Sequence, residues 1–212
     1  MSLKLIGYRY SVYTWAVRMA LAEAAREADL QEVDPFDAAS LDGLRLRLHH
    51  PFGRVPVLWD RDFRLYETGA IVSYVLPAEP DARRAARARQ VAGIADSYAY
   101  LPLVRQVFSH GVFRPACGVL GGEAQVNAGL LAAPVVLDAL EEIASEGLVL
   151  TGKTMGAADC HLAPMIGCFA KFAQGRSLLT SRPALARWFD AVSQTGSYLN
   201  TRPDLSELGA GV

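Results

Sequence analysis

Two spacings of apolar residues alternate along the first third of the chain and predict both strands and helices. Short apolar runs predict strands at residues 3–6, 30–33, 55–59 and 63–66. The turn between the last two strands is short enough for a hairpin. Apolar residues at helical spacing predict helices over residues 17–27 and 41–48, and a third that contains Ile71, Tyr74 and Val75. The predicted order is βαβαββα, with parallel pairing across a helix and antiparallel pairing in the hairpin.

Beyond residue 84 only helical spacing remains, after a proline-containing linker at residues 77–81. Long helices are predicted over residues 84–113, with a kink at Pro102, and over residues 124–145 and 157–172. A final helix is predicted by four apolar residues at i, i+3, i+4 and i+7, namely Leu185, Trp188, Phe189 and Val192. The chain is therefore expected to divide into an α/β domain, residues 1–78, and an all-α helical domain, residues 84–212.

Composition and charge exclude several classes of protein. Hydrophobic residues make up 51% of the chain and charged residues 20%, which is typical of a folded globular protein. The net charge of -1 gives no basic face for nucleic acid. The first ten residues lack the apolar run of a signal peptide, and the longest apolar stretch, residues 130–137, is far short of the roughly 20 that span a bilayer. We expect a cytoplasmic protein with neither a nucleic-acid nor a membrane partner.

The three cysteines predict neither a disulfide framework nor a metal site. Cys160 and Cys168 would lie about 12 Å apart on one helix, beyond the roughly 7 Å that a bridge allows between α-carbons. His161 next to Cys160 has no second pair of ligands at zinc-like spacing. Packing of the thiols in the core is the expected role, and no metal is predicted.

Four stretches of sequence together resemble one family. They are YSVYTWAVRMAL at residues 10–21, PFGRVPVL at 51–58 with LYETGAI at 65–71, LTGKTMGAAD at 150–159, and PALARWF at 183–189. The chain resembles the cytosolic glutathione transferases, in particular Ser-type, bacterial-like members with a weak zeta or theta character. The resemblance covers nearly the whole chain, and the second stretch is its most specific part.

The resemblance implies a fold and a function for each predicted domain. Residues 1–78 would form a thioredoxin-like domain that binds glutathione, and residues 84–212 would form the helical domain that binds the second substrate. The implied protein is a detoxifying glutathione S-transferase that activates the glutathione thiolate for attack on a small hydrophobic electrophile. Glutathione would be the co-substrate, no metal would be required, and the protein would be a homodimer.

The resemblance also implies which residues bind glutathione. Ser11 would hydrogen-bond the sulfur and favour its thiolate. Val55 would precede a cis bond to Pro56 and pair through its main chain with the cysteinyl amide. Glu67 would accept from the γ-glutamyl ammonium, while Thr68 and the helix N-terminus would donate to the γ-glutamyl carboxylate. Arg54 is the candidate for the glycyl carboxylate.

Several assignments stay open at this stage. A tyrosine or Thr14 could replace Ser11 as the activating residue, the tyrosines being Tyr8, Tyr10 and Tyr13. His49 and His50 are expected to be solvated, although one of them could reach the glycyl carboxylate. The resemblance places the first helix of the second domain beside the electrophile, so the electrophile-pocket candidates are Tyr13, Tyr98 and His110.

Two other functions compete with the transferase. This fold is reused by non-catalytic proteins, so the chain could bind glutathione or a protein partner without turnover. The spacing of Ser11 and Trp15 is similar to the zeta class, which includes glutathione-dependent isomerases, but Val12 and Tyr13 depart from that class's motif. The complete set of predicted glutathione contacts favours the transferase.

Overall fold

A four-stranded mixed sheet forms the first third of the molecule in the computed structural model, which describes residues 3–37 and 40–209. Its strands are β1 (Leu3–Gly7), β2 (Ala28–Glu32), β3 (Val57–Asp60) and β4 (Phe63–Tyr66), in the spatial order β2-β1-β3-β4. β1 runs parallel to β2, and β3 is antiparallel to both of its neighbours. Three helices join or follow the strands, α1 (Val12–Glu23), α2 (Leu41–His49) and α3 (Thr68–Val75). The predicted order βαβαββα is confirmed.

Helix α1 begins five residues earlier than the apolar spacing predicts. Ser11 is its N-cap, with extended backbone angles, and the helix ends at Glu23, just before Ala25 takes a positive φ of 49°. The first turn contains β-branched and aromatic residues, which are poor helix formers. Val12 and Trp15 are nevertheless buried, so core packing outweighs their low propensity. This early start places Ser11 at the helix N-terminus.

The rest of the chain is helical, and no strand occurs among the described residues after Tyr66. Helix α4 (Ala82–Ile94) continues without a break into a π-helical segment, Ala95–Phe113, called here the wide helix, and then into a single turn, α5 (Arg114–Ala116). The remaining helices are α6 (Glu123–Glu146), α7 (Ala157–Phe169), α8 (Ala173–Thr180), α9 (Pro183–Val192) and α10 (Gly196–Thr201), with a 3₁₀ turn at Ser206–Gly209. Helix α9 is therefore not the last helix, and the sequence pattern missed α8 and α10.

The wide helix packs closely on α6. A Cβ at Gly129 of α6 would lie 2.7 Å from the carbonyl oxygen of Pro102, so a glycine is needed for this approach. Pro102 stands inside the wide helix without ending it. The long helix predicted over residues 84–113 is thus present, and it continues through Pro102, where the sequence predicted a kink. Within the described ranges, no helix combines the length and the apolar character that a membrane crossing requires.

Helix α7 is buried along its whole length and joins the two parts of the molecule. It packs against α1 and α3 on one side and against α4 and the wide helix on the other. Cys160 and Cys168 of α7 are free thiols in this core, and burial raises the pKa of both. A second link is a hydrogen bond of 3.0 Å from the indole N–H of Trp15 to Thr201 Oγ1. The α/β part therefore rests on the helical part through a shared hydrophobic core.

Candidate active site

A cleft of about 630 Å³ lies between the sheet end of the α/β part and the wide helix. Seven of the residues predicted for the site line this cleft, namely Ser11, Tyr13, Arg54, Val55, Pro56, Glu67 and Thr68. They come from the N-terminus of α1, the loop before β3 and the N-terminus of α3. The predicted glutathione contacts thus lie on one side of one cavity, although the first and last of them, Ser11 and Thr68, are 57 positions apart in the sequence.

Ser11 sits at the N-terminus of α1, where its side chain faces the cleft. Its Oγ accepts the N–H of Thr14 at 3.4 Å, and its carbonyl accepts the N–H of Trp15 at 2.9 Å. Within the described part of the chain its hydroxyl proton has no acceptor. Ser11 can therefore donate a hydrogen bond to a group in the cleft, close to the positive end of the α1 dipole.

Thr14 is engaged in holding the chain together. Its side chain is fully buried, and its Oγ1 accepts the N–H of Tyr8 at 3.2 Å. A Cβ at Gly7 would lie 2.5 Å from Thr14 Cγ2, so Gly7 provides the space that Thr14 occupies. Thr14 is thus a structural link between β1 and α1.

Two tyrosines of the cleft, Tyr8 and Tyr13, are held in the neutral form. Burial, with the nearby Asp34 carboxylate, raises the pKa of Tyr8 to about 12. Burial raises the pKa of Tyr13 as well, and the nearby carboxylate of Asp96 raises it further.

Val55 stands at the cleft wall just before β3. The Val55–Pro56 peptide bond is cis, as the sequence resemblance implied, and both residues line the cavity. Residue 55 lies outside β3, which begins at Val57, and its N–H and C=O make no main-chain hydrogen bond with the described residues. Unpaired main-chain groups of this kind are available to an extended peptide.

Glu67 has a strained backbone at the start of α3. Its φ of 70° lies in a region that non-glycine residues rarely adopt, and its side chain is 66% exposed. Such strain is typical of functional sites. Thr68 is the first residue of α3 and is buried, yet it contributes to the cleft surface. The N-terminal N–H groups of α3 and one carboxylate thus lie side by side, an arrangement that suits an amino-acid zwitterion.

His50 corrects the expectation that both histidines of the pair are solvated. Its ring is 2% exposed, its Nδ1 accepts the N–H of Phe52 at 3.2 Å, and its Nε2 lies 4.0 Å from Glu67 Oε1. Burial lowers the pKa of His50, so the ring is neutral at pH 7 and directs an N–H toward Glu67. His49 lies outside the cleft lining and packs edge-on against Trp59.

The opposite wall of the cleft is one face of the wide helix. Its lining residues recur every four or five positions, as a π-helical turn requires. They are Asp96, Tyr100, Leu101, Val104, Arg105, Phe108, Ser109 and Phe113. Tyr98 and His110 fall between these positions. Tyr98 is 66% exposed, and His110 packs against Gly121 and Gly122. The expectation that both residues line the electrophile pocket is therefore wrong, since the sequence could not give the helix phase.

Aromatic rings cover the cleft from both parts of the molecule. Tyr8 packs edge-on against Tyr10 at 5.5 Å and against Phe36 at 6.0 Å, while Tyr10 meets Phe113 at 5.6 Å and Phe113 meets Phe108 at 6.1 Å. These five residues, Tyr8, Tyr10, Phe36, Phe108 and Phe113, are called the aromatic wall. Tyr8 and Tyr10 are candidates from the sequence, whereas Phe36 and Phe108 become their neighbours only through the fold.

A polar pair between buried His161 and the half-exposed Asp96 supports the wide helix behind this surface. Nε2 of His161, on α7, lies 2.8 Å from Oδ1 of Asp96. The His161 ring also packs edge-on against Tyr13 at 6.3 Å. Among residues 3–37 and 40–209 no cluster of histidine, cysteine and acidic side chains could hold a metal ion, so His161 serves this polar pair.

Comparisons with known proteins agree with this geometry. The family model of the glutathione S-transferase N-terminal domain matches residues 1–77. Glutathione S-transferase F13 of Arabidopsis thaliana is 26% identical over 216 residues, with 97% of each chain covered. Among solved structures, glutathione transferase F7 from Populus trichocarpa superposes with a TM-score of 0.79 at 22% identity, covering 98% of this chain and 99% of that one. Glutathione S-transferase I bound with lactoylglutathione gives a TM-score of 0.81 at 21% identity, covering 98% and 100%.

The chain therefore has the fold of a thioredoxin-like domain followed by a helical domain. Residues 1–77 match the family model of the glutathione S-transferase N-terminal domain, and the curated relatives that align with nearly the whole chain are named glutathione S-transferases. The curated relatives are plant transferases of the phi class. The bacterial, zeta and theta character expected from the sequence is not supported, so the resemblance of residues 11–15 to the zeta motif carries no weight.

Proposed function

We propose that this protein is a glutathione transferase that conjugates glutathione to a hydrophobic electrophile, with Ser11 as the residue that stabilises the thiolate. One observation carries the proposal: Ser11, Val55 and Glu67 share a single cleft with the aromatic wall. Ser11, Val55 and Glu67 offer polar and charged contacts to a charged tripeptide, and the aromatic wall offers an apolar surface to a second substrate. A cytoplasmic, homodimeric, detoxifying enzyme is part of the same proposal.

The energies available at Ser11 are sufficient for thiol activation. A free thiol has a pKa of about 8.5, and each pKa unit corresponds to about 1.4 kcal/mol. A hydrogen bond to a charged acceptor contributes about 1.5–3 kcal/mol. The N-terminus of α1 adds about 0.3–1 kcal/mol. Together they supply about 1.8–4 kcal/mol and lower the thiol pKa by about one to three units, which ionises much of the bound glutathione at pH 7 without a general base.

Each end of glutathione has a counterpart on the α/β side of the cleft. The γ-glutamyl ammonium binds Glu67, and the adjoining carboxylate binds Thr68 and the first N–H groups of α3. The cysteinyl amide pairs with the main chain of Val55, whose hydrogen-bonding groups are otherwise unused. Arg54, which is exposed on the cleft rim, binds the glycyl carboxylate. This placement directs the sulfur toward Ser11.

The reaction occurs where the sulfur faces the wide helix. The thiolate attacks an electrophile that lies against the aromatic wall, and the wall excludes water from the reacting carbon. A solved relative with a TM-score of 0.77, glutathione S-transferase I from maize, holds an atrazine–glutathione conjugate. This supports a cleft that accommodates a conjugate of glutathione with an aromatic ring.

Binding and turnover test the proposal in sequence. The purified chain should be retained on immobilised glutathione and released by free glutathione. It should then conjugate 1-chloro-2,4-dinitrobenzene faster than the uncatalysed reaction, measured by the absorbance of the product. Retention without turnover of several electrophiles would indicate a binding protein, and the absence of both would reject the assigned site. Light scattering on the purified protein tests the homodimer.

A further inference from the structure

Arg105 is a cation on the electrophile side of the cleft, and the proposed binding of glutathione does not use it. Its guanidinium carbon lies 5.9 Å from the centre of the Phe36 ring, a cation–π contact that holds it against the aromatic wall. Arg105 forms no hydrogen bond or ion pair within residues 3–37 and 40–209. Its five N–H donors are therefore available to a ligand.

The other charged groups of the cleft have partners or assigned roles. Glu67 and His50 face each other at the start of α3, and Arg54 stands on the rim beside Val55. Asp96 is bonded to His161. Arg105 is thus the unpaired positive charge on the wide-helix side, since the other lining residues there are aromatic, aliphatic or hydroxyl-bearing apart from Asp96.

A second donor shares the helix face with Arg105. Ser109 follows four positions later, lines the same cleft, and its hydroxyl makes no hydrogen bond with the described residues. A guanidinium and a hydroxyl on adjacent turns are suited to a planar anion such as a carboxylate, which Arg binds with two parallel hydrogen bonds. Phe108, between them in sequence, belongs to the aromatic wall. A ligand whose anionic group binds at this place would therefore stack its ring on the aromatic wall.

We propose that the electrophilic substrate is a planar aromatic compound that carries a carboxylate, and that Arg105, assisted by Ser109, binds this carboxylate while the ring packs on the aromatic wall. The inference rests on the proposed function and names the substrate class of that same site. In the reaction, the thiolate sulfur bonds to the ring carbon that carries a halide. The halide leaves with the electron pair of the broken bond, and the thiol proton passes to solvent.

A pair of substrates that differ only in charge tests this inference. The substrates are 4-chloro-3,5-dinitrobenzoate and its methyl ester, and each enzymatic kcat/KM is divided by the uncatalysed rate constant with glutathione. Arg105→Gln should lower this ratio about tenfold for the carboxylate and less than twofold for the ester, because a charge-assisted hydrogen bond is lost only in the first case. Arg105→Lys, which keeps the charge but not the paired donors, should give an intermediate loss. Arg187→Gln removes an exposed arginine of α9 outside the cleft and should leave both ratios unchanged.

Unreactive analogues make the test independent of turnover by the variants. 3,5-Dinitrobenzoate should inhibit the wild-type enzyme competitively against the ester substrate, and Arg105→Gln should raise its inhibition constant about tenfold without changing that of methyl 3,5-dinitrobenzoate. Equal losses for acid and ester, or no loss for either, would overturn the substrate class while leaving the transferase intact. If the wild-type protein conjugates neither substrate nor 1-chloro-2,4-dinitrobenzene, the proposed function fails, and this inference with it.

Discussion

The imidazole of His161, on buried α7, hydrogen-bonds the Asp96 carboxylate on the cleft wall at 2.8 Å. A carboxylate only accepts, so Nε2 of His161 is the donor, and the buried Nδ1 has no partner among the described residues. Because the His161 ring also packs edge-on against Tyr13 at 6.3 Å, one side chain contacts both the wide helix and the residue two positions after Ser11. The core therefore positions the two walls of the cleft relative to each other.

This pair should be energetically coupled. His161→Leu removes the donor and Asp96→Ala removes the acceptor, and each should lower the free energy of unfolding by about 1–3 kcal/mol. The double variant should lose less than the sum of the single changes, by about 1–2 kcal/mol, because the second change removes a contact already lost. Urea denaturation of the four proteins measures this difference. Additive losses would show that the contact contributes nothing of its own.

Ser11→Ala should impair thiol activation rather than binding. Loss of the donor should raise the pKa of bound glutathione by one to two units and lower kcat about 10- to 100-fold at pH 7, with little change in the glutathione KM. The thiolate absorbance of the binary complex, titrated with pH, gives the pKa directly. Tyr13→Phe is the comparison, because Tyr13 lines the same cleft but is not assigned to the sulfur, so loss of its hydroxyl should leave the thiol pKa unchanged. The reverse result for the two variants would transfer the role to Tyr13.

Glu67→Gln should weaken glutathione binding with little effect on chemistry. The substitution keeps the size of the side chain but removes the charge that faces the γ-glutamyl ammonium. We expect the glutathione KM to rise about tenfold, as for loss of a charge-assisted hydrogen bond, and kcat to change less than threefold. Glu79→Gln alters an exposed acid of the linker outside the cleft and is the matched control. A KM equal to that of the wild type would place the ammonium elsewhere.

Asp159 should make stability depend on pH in an unusual direction. Burial raises its pKa from 3.8 to about 6, even though its oxygens accept the indole N–H of Trp188 at 2.6 Å and the N–H of Gly156 at 2.9 Å. Between these two pKa values the folded protein binds more protons than the unfolded chain, so stability falls as pH rises through this window. The full effect, about 3 kcal/mol, is reached above pH 6.

Asp159→Asn tests this dependence because it removes the titration. Asparagine can accept only one of the two hydrogen bonds, so the variant should be less stable than the wild type by about 1–3 kcal/mol or more at pH 4. As pH rises from 4 to 7, the advantage of the wild type over the variant should shrink by about 2–2.5 kcal/mol, since part of the full effect lies below pH 4. Guanidinium denaturation at each pH measures the difference, in which the contributions of all other groups cancel. A constant difference would mean that the carboxyl has an ordinary pKa in the fold.

The sequence predicted those parts of the site that local patterns encode. The order of strands and helices along the chain and the hairpin followed from apolar runs and short turns. The residues around Pro56 and Glu67 belong to contiguous motifs. The electrophile side depends on the phase of the wide helix, which places residues four or five positions apart on one face. An α-helical pattern, in which residues three or four positions apart share a face, does not predict this spacing. Tyr98 and His110 were therefore assigned to the wrong face of the helix.

Other features were hidden because they depend on contacts between distant segments. His50 is buried only because the start of α3 and the loop at Phe52 close around it. Phe36 and Arg105 meet although 69 positions separate them. Helix α1 begins at Val12 because the core buries its first turn, which propensity alone disfavours.

The periodic face of the wide helix has a consequence for how such a protein can diversify. Leu101, Val104, Arg105 and Phe108 project into the cleft from one short segment of sequence, whereas the residues assigned to glutathione lie on other elements. Point mutations in this segment can alter the choice of electrophile and leave the sulfur chemistry untouched. A combinatorial library confined to these four codons would therefore sample new specificities in a scaffold whose reactive half is held constant.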